Sequence, residues 1–361
     1  MKILDKYILK KYFVSLFFTL LILIPIAIAI DVSEKVDKFI KNIDLTFSEI
    51  INDYYVSFVI SYTNQFLPLA LFISVILFTS KLSANTEIIA VLSSGISYKR
   101  FLRPYLIGAT IIAVFSLYSN HFIVPKANKT FEEFHEKYLR GKKKSKTYVR
   151  KVNLQLTNSD LIYIGNFNLR NNNGYYFSYE HFDGNKLKYK LIGQSIKWRK
   201  EDSTYHISNY KKRYIKQGVD IIKTGVNFDT IFDFLPKDLV YVDYLAKEMQ
   251  SPELADHIAI SEKRGVKNLN NYKVELSKRT SLPISAFILT IIAVSLASKK
   301  RRGGIGVSLA IGISLMFIYV FFLKVSEVLG SAPGSNPLMM VWLPNIIFGI
   351  LAFFLFRHAN K

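Results

Sequence analysis

Six apolar runs, set as two triplets around a long polar stretch, constrain this chain more than any other feature. The runs are Phe13–Ile30, Tyr54–Ser80, Leu106–Pro125, Thr280–Ser298, Ile305–Leu323 and Pro337–Phe356. As helices rising about 1.5 Å per residue, they match a hydrocarbon core of about 30 Å. Backbone groups cannot stay unpaired in that core, so each run is predicted to be helical. The first run has a rival reading as a signal peptide, because Ala27-Ile28-Ala29 imitates a cleavage site. Its apolar length exceeds the ~7–15 residues of a signal core, which predicts an uncleaved span. Six spans place both termini on one side.

Short links set the expected orientation. Lys81, Lys99, Arg100 and Arg103 face only Glu87 in one link, and Lys299-Lys300-Arg301-Arg302 fills another. Both are expected to be cytoplasmic, with the termini, because basic short loops stay inside. The opposite links are acidic or nearly uncharged: Asp31, Glu34, Asp37, Asp44, Glu49 and Asp53 in one, Glu327 in the other. The central block is basic, but long domains translocate largely regardless of charge, so it is expected outside the cytoplasm. Residues 2–11 carry Lys2, Lys6 and Lys10 on one face and Ile3, Leu4, Tyr7 and Ile8 on the other, and predict a short interfacial helix.

The expected fold class is therefore membrane α-helical, with six transmembrane helices and an inserted periplasmic all-β jellyroll-like domain. The parts are an N-terminal triplet (1–124) with a helix at 82–95, the inserted domain (125–271) and a C-terminal triplet (272–361). In the insert, Ala127–Arg140 reads as helix. After the Lys142–Lys146 charge run the period changes to two, over Tyr148–Leu156, Leu161–Phe167, Tyr175–Glu180, Lys186–Ile192, Ser195–Arg199 and Thr204–Tyr210. Asn171-Asn172-Asn173-Gly174, Asp183-Gly184-Asn185 and Glu201-Asp202-Ser203 supply the turns. Ser251-Pro252-Glu253 opens a further helix, Gly265 is expected to end it, and another from about Asn270 runs into span four.

Composition removes several classes. There is no cysteine, so neither a disulfide nor a thiolate metal site can form. The six His contain no H-x-x-x-H pair, which argues against zinc. Gly303-Gly304-Ile305-Gly306 lacks the Lys of a phosphate-binding loop and reads as a tight turn. No catalytic set stands out and no cofactor is implied, so uphill transport would need energy from a partner. The net charge of +21 suits an anionic membrane surface in so apolar a chain.

Three places could carry function, each with a plainer alternative. In the 82–95 helix, Ile88, Ile89 and Leu92 share a face, Glu87 is the single acid of its loop, and Gly95 suits a left-handed helix end. Glu87 is either a solvated acid or the anchor of a helix docked on a soluble partner. Lys35, Lys38 and Lys41, at the outer end of span one, either pair with Asp31, Glu34 and Asp37 or meet lipid phosphates. Lys278 and Arg279, at the outer start of span four, have the same two readings. Asn64, Gln65, Asn120 and His121 are expected to hydrogen-bond between helices. Pro25, Pro68, Pro104, Pro283 and Pro344 mark expected kinks. The aromatic strands either fill a core or open onto a slot for acyl chains.

The ordered set LDKYILKKY (Leu4–Tyr12), KLSANTEIIAVLSSGIS (Lys81–Ser97), VPKAN (Val124–Asn128), VELSKRTSLPISAFILTIIAVSLAS (Val274–Ser298), RRGG (Arg301–Gly304) and WLPNIIF (Trp342–Phe348) resembles the LptF/LptG family of lipopolysaccharide export permeases. The N-terminal and coupling-loop segments resemble the LptG type more. The resemblance implies six spans, a periplasmic jellyroll and pairing with a second LptF/LptG-type subunit on a cytoplasmic ABC ATPase dimer. It implies extraction of lipopolysaccharide from the inner membrane and transfer to an LptC/LptA-type bridge protein. It also places an acid of the helix between spans two and three, here Glu87, in a groove of the ATPase. Basic residues near Lys35, Lys38 and Lys41 would then meet substrate phosphates. A non-transporting scaffold and a lipid-modifying enzyme are the rival classes.

Overall fold

The computed structural model describes residues 3–139, 148–157, 159–169, 171–215, 219–239, 243–263, 269–299 and 304–359. Lys2, Arg140, the Lys142–Lys146 run, Gly265 and the Lys300–Gly303 part of the basic link lie outside the described residues. The chain divides into two compact units, one of Met1–Leu139, Tyr244–Leu254 and Asn270–Lys361, the other of Arg140–Asp243 and Ala255–Leu269.

The first unit is a helical bundle. Helix α1 runs Ile3–Ile40. A short α2 (Phe47–Glu49), a π-helical turn (Ile50–Tyr55) and α3 (Val56–Ala84) run on as one rod. A short α4 (Glu87–Ser93) precedes α5 (Tyr98–Tyr118), which continues through a π-turn (Ser119–Ile123) into α6 (Val124–Phe134) and a last π-turn (His135–Leu139). After the strands come α7 (Asp243–Glu248), α8 (Ser251–Lys263, whose residues from Ala255 on belong to the second unit), α9 (Asn270–Ala297), α10 (Gly304–Ser331) and α11 (Pro337–Ala359). Six of these rods, beginning at Ile3, Phe47, Tyr98, Asn270, Gly304 and Pro337, are long and apolar enough to cross a membrane.

Burial follows the logic of a bilayer. Helices α3 and α9 supply much of the buried core, including Leu71, Val75, Ile76, Leu289, Ile292 and Ala293. Helix α1 instead leaves Phe17, Phe18, Leu21, Ile22, Ile26 and Ile30 exposed, as a lipid-facing span would, since outside water there is no gain in hiding apolar side chains. Polar groups act as interhelical links: Tyr319 donates to Asn345 Oδ1 (2.9 Å), and Asn345 donates to the Ser281 carbonyl (2.7 Å).

Two expectations are corrected here. The N-terminal segment is not a separate interfacial helix. It is the first part of α1, with Ile8, Tyr12 and Leu16 buried in the bundle. The third span does not end at Pro125; the helix continues to Leu139. A proline at 125 lacks an N–H and its ring crowds the carbonyl four residues back. The π-turn just before it relieves that crowding instead of ending the helix.

In the second unit, six strands pair antiparallel in chain order: β1 (Tyr148–Gln155), β2 (Asp160–Asn168), β3 (Asn173–Asp183), β4 (Lys186–Arg199), β5 (Thr204–Tyr214) and β6 (Ile221–Thr230). The two predicted strands over 186–199 are one, and β6 was not anticipated. Gly184 (φ 58°), Asn172 (φ 51°) and Ser203 (φ 52°) carry the left-handed turn positions that the turn clusters predicted.

A crease crosses this sheet. Lys151, Tyr176 and Asn209 have φ of 55°, 59° and 48°. The flanking register sets Lys151 opposite Gly165, Gly165 opposite Tyr176, and Asn209 opposite Gln194, all in one row. Gly165 is required there, because a Cβ would lie 2.9 Å from that of Tyr176. Each left-handed non-glycine residue costs about 1–3 kcal/mol, and such irregularities bend the strands that carry them. One face then holds the core of Ile162, Phe167, Phe177, Ile196, Tyr205 and Ile207, covered by Phe232, Phe234 and Leu239 from the segment after β6. Tyr205 stacks on Phe234 at 4.6 Å and donates to its carbonyl at 3.1 Å. Aromatic filling is thus what the strands do in this conformation.

Candidate functional site

The bundle gathers polar chemistry at three places. The first is α4. Helix α3 ends at Ala84, Thr86 adopts φ 63°, and the chain restarts as helix at Glu87. The predicted 82–95 helix is therefore shorter, and Leu82 and Ser83 belong to the buried end of α3. Gly95 takes φ 86° and donates to the Leu92 carbonyl (3.1 Å), as expected of a helix terminator. Ile88 is 2% exposed and faces the bundle, apart from Ile89 and Leu92, which lie on the surface. Glu87 accepts from the Tyr7 hydroxyl (2.8 Å) and from Asn85 Nδ2 (3.2 Å). Next to it, Arg100 Nη1 and Nη2 donate to both oxygens of Asp5, at 2.6 and 2.8 Å. The first contact ties α1 to α4 and the second ties α1 to α5.

The second place is the other end of α1. Lys35 does not stand free for a ligand. It pairs with Asp31, donates to Tyr54 and lies over the Tyr54 and Phe131 rings at 5.1 and 5.9 Å. Tyr54 itself donates to Asp31 (2.8 Å) inside an aromatic cluster with Phe39, Phe58 and Phe134. Lys38 and Lys41 are exposed, and α1 ends at Ile40, so Lys41 is already beyond the helix. The three lysines therefore do not form one equivalent row. The π-turn at Ile50–Tyr55 carries Tyr54 to its buried position.

The third place is a cavity of about 520 Å³ lined from α3, the Ser119–Ile123 turn, α6, α7, α9, α10 and α11. Lys278 and Arg279 both face it. Lys278 lies 2.9 Å from each of Glu275 and Glu327, and Lys324 lies 3.0 Å from Glu327. Arg279 is 3% exposed; it donates to Ser251 Oγ (3.0 Å) and the Ala246 carbonyl (2.8 Å), with Glu275 at 3.7 Å. Both cations are thus committed to their own chain. Asn64 donates to Asn120 at 2.6 Å on the same wall, the interhelical bond that polar residues in spans predict.

Sequence reading missed four participants: Tyr7, Asp5, Tyr54 and Glu248. Asp5 and Arg100 are 95 positions apart, and nothing local announces their pairing. Glu248 lines the cavity from α7, and its Oε1 is buried with no hydrogen-bond partner among the described residues. Burial, reinforced by Glu132, Glu136 and Glu133 and opposed by Lys129, pushes its carboxyl up to about 8. Among the described residues no group of acids and His is arranged to hold a metal ion.

No match was found among curated proteins. The family model for "Lipopolysaccharide export system permease LptF/LptG" matches residues 6–358, almost the entire chain. With six membrane-crossing helices and a β-sheet unit inserted between the third and fourth, the chain is a multi-pass inner-membrane protein and a component of the lipopolysaccharide export complex. It belongs to the LptF/LptG family of lipopolysaccharide export permeases.

Proposed function

We propose that this chain is a membrane subunit that moves lipopolysaccharide out of the inner membrane using ATP hydrolysed by a separate ABC ATPase dimer, and that it has no hydrolytic activity of its own. In this reading α4 and both termini face the cytoplasm, the sheet unit faces the periplasm, and a second LptF/LptG-type subunit completes the path. Substrate passes to the sheet unit and on to an LptC/LptA-type bridge. Strand β6 supports the last step. It is an edge strand with Ile221, Ile222 and Val226 exposed, and such edges accept a further strand.

The observation that carries the reading is the wiring of α4. Glu87 stands at the start of a short helix whose Ile89 and Leu92 are uncovered, while Tyr7 holds the same carboxylate from α1. A partner that grips Glu87 with a cation would pull on α1 directly. Helix α1 is unbroken for 38 residues, about 57 Å, so displacement at Tyr7 reaches the Lys35 end. There the exposed Lys38 and Lys41 would meet lipid phosphates, and Lys35 would join them by leaving Asp31. Lys278 and Arg279 would contribute only after exchanging Glu275 or Glu327 for a phosphate.

The test is co-purification of the ATPase and lipopolysaccharide release from proteoliposomes. Glu87→Lys is expected to lower both by at least about tenfold, because truncating or reversing one side of a buried interfacial charge pair costs about 2–5 kcal/mol. Unchanged assembly and transport would remove α4 from the mechanism.

A further inference from the structure

An apolar sheet face is ordinarily buried by helices or by a second sheet. In the sheet unit, among the described residues, the core is joined from outside the strands by Leu156 and Leu169 at strand ends and by Phe232, Phe234 and Leu239 of segment 231–239. That segment adds no strand to the sheet and finishes as a short 3-10 helix, Pro236–Leu239. Phe234 and Leu239 are buried, whereas Ile231 and Leu235 between and beside them are exposed. The cover is thus a few side chains dipped in from an irregular strap, with Tyr205 donating to the Phe234 carbonyl at 3.1 Å.

The strap completes a row of rings. Phe234 lies 4.6 Å from Tyr205, Tyr205 5.9 Å from Phe232, Phe232 5.3 Å from Tyr179, Tyr179 5.9 Å from Tyr189, and Tyr189 4.9 Å from Tyr214. Two of these rings belong to the strap and the others to β3, β4 and β5. The row comes out of cover at its far end, where Tyr214 is 38% exposed. An apolar chain laid on that end would pass Tyr189 and Tyr179 and then meet Phe232. From there on, the strap already holds the chain's place. It is tied covalently at both ends, to β6 and, four positions after Leu239, to α7, whose Ala246 carbonyl accepts from Arg279. A tethered group of this kind competes at an effective concentration on the order of millimolar.

We propose that segment 231–239 is a built-in competitor of the sheet unit: Phe232 and Phe234 occupy its inner face, and an acyl chain arriving past Tyr214 displaces them to continue along Tyr179 and Tyr205. That this chain belongs to the exported lipid rests on the export reading; the competition itself does not. Because the strap must leave before the chain is fully seated, the apparent affinity is the intrinsic one reduced by the fraction of molecules whose strap is withdrawn.

The test uses the full chain in phosphatidylcholine nanodiscs, titrated with dibromostearic acid as a quencher of tryptophan fluorescence. The chain has two Trp; Trp342→Phe leaves Trp198, 4.7 Å from Tyr205, as the sole reporter of the inner face. In that background Phe234→Ala should lower the half-quenching concentration by at least about tenfold, because the strap no longer fills its place. Tyr205→Phe keeps the floor ring and removes only the hydroxyl that donates to the Phe234 carbonyl. It should lower the same concentration by about twofold to tenfold, the scale of one hydrogen bond. Should the emission wavelength show Trp198 opened to water in Phe234→Ala before any titration, Tyr205→Phe decides the matter alone. Equal half-quenching concentrations in the parent and the folded variants would overturn the proposal and make segment 231–239 a fixed part of the core. Absence of quenching in all of them would overturn it too, since the face would then accept no chain. No ATPase is present, so failure here leaves the export reading standing, and failure of the Glu87→Lys test leaves this competition measurable.

Discussion

The two ends of α1 are tied to the bundle by similar chemistry in different surroundings. Near its start, the buried Asp5 (4% exposed) accepts from both Nη groups of Arg100, and Tyr7 donates to Glu87 at the surface. Near its far end, Asp31 is 6% and Tyr54 0% exposed, and aromatic rings enclose the Lys35 ammonium. A charge pair in contact with water is cheap to break, because solvent replaces the partner. A buried one is costly to break, because the group left behind has nothing to replace it. Only the Tyr7–Glu87 contact is therefore cheap to release, whereas Asp5–Arg100 and Asp31–Lys35 are both anchored on a buried carboxylate; under the proposed function, the aromatic-enclosed Lys35 end would serve as the pivot.

The largest effect that would break this comparison is at the pivot. Asp31→Ala leaves Lys35 and Tyr54 without their carboxylate and should cost about 3 kcal/mol, the low end for removing one partner of a buried pair. The apparent melting temperature in detergent should fall by several degrees. Asp5→Ala removes the other buried carboxylate but strands Arg100, 25% exposed, where Asp31→Ala strands Tyr54, 0% exposed, so it should lower it less. The exchange of Asp5→Arg with Arg100→Asp should recover most of that smaller loss. If the two alanine variants melt alike, the ends are energetically equivalent and the pivot is lost.

A second effect is the pH response of the same unit. The Glu248 carboxyl, on α7 of the same unit, is raised from 4.5 to about 8, first by burial and then by Glu132, Glu136 and Glu133. The folded protein therefore holds this proton more tightly than the unfolded chain does. The stability it contributes is complete below about 4.5, the unfolded value, and is lost as pH rises through about 8. Thermal stability measured from pH 5 to 8.5 should decline for the wild type, and the decline should flatten in Glu248→Gln. A parallel decline in both would assign the slope to other groups.

Much of this was legible in the chain because hydrophobic length and period are local signals. The six spans, the turns at Asn172, Gly184 and Ser203, and the stop at Gly95 all follow from residues within a few positions of one another. Strand β4 was split at Gly193-Gln194 because glycine in a strand reads as a break. In the fold it is demanded by packing, since a Cβ there would meet Ile207 at 2.4 Å. Strand β6 was missed because it is an edge with almost no buried face, so its sequence shows no alternation. The Lys35 row misled for a related reason. Spacing gives the face of a helix, but not that Tyr54, 19 positions on, claims the first lysine and leaves the other two outside. Ile88 was grouped with Ile89 and Leu92 by periodicity alone, and only the turn at Thr86 decides that it points inward.

The smallest effect tests the link itself. Tyr7→Phe deletes one hydroxyl that donates to Glu87 at the surface. An exposed hydrogen bond exchanges with water, so the melting temperature should stay within about 1 °C, in line with the near-neutral cost of surface changes. Its consequence should appear only when α4 is loaded by a partner. ATPase association should persist, because Glu87, Ile89 and Leu92 are intact, while the lipopolysaccharide released per ATP should fall, because α1 is no longer pulled through that carboxylate. Asp5→Ala, which keeps the Tyr7 contact, should lower the same ratio less. A Tyr7→Phe chain that couples as well as the wild type would leave α1 clamped at both ends but driven from neither, and the motion would then have to travel through α3 and α5.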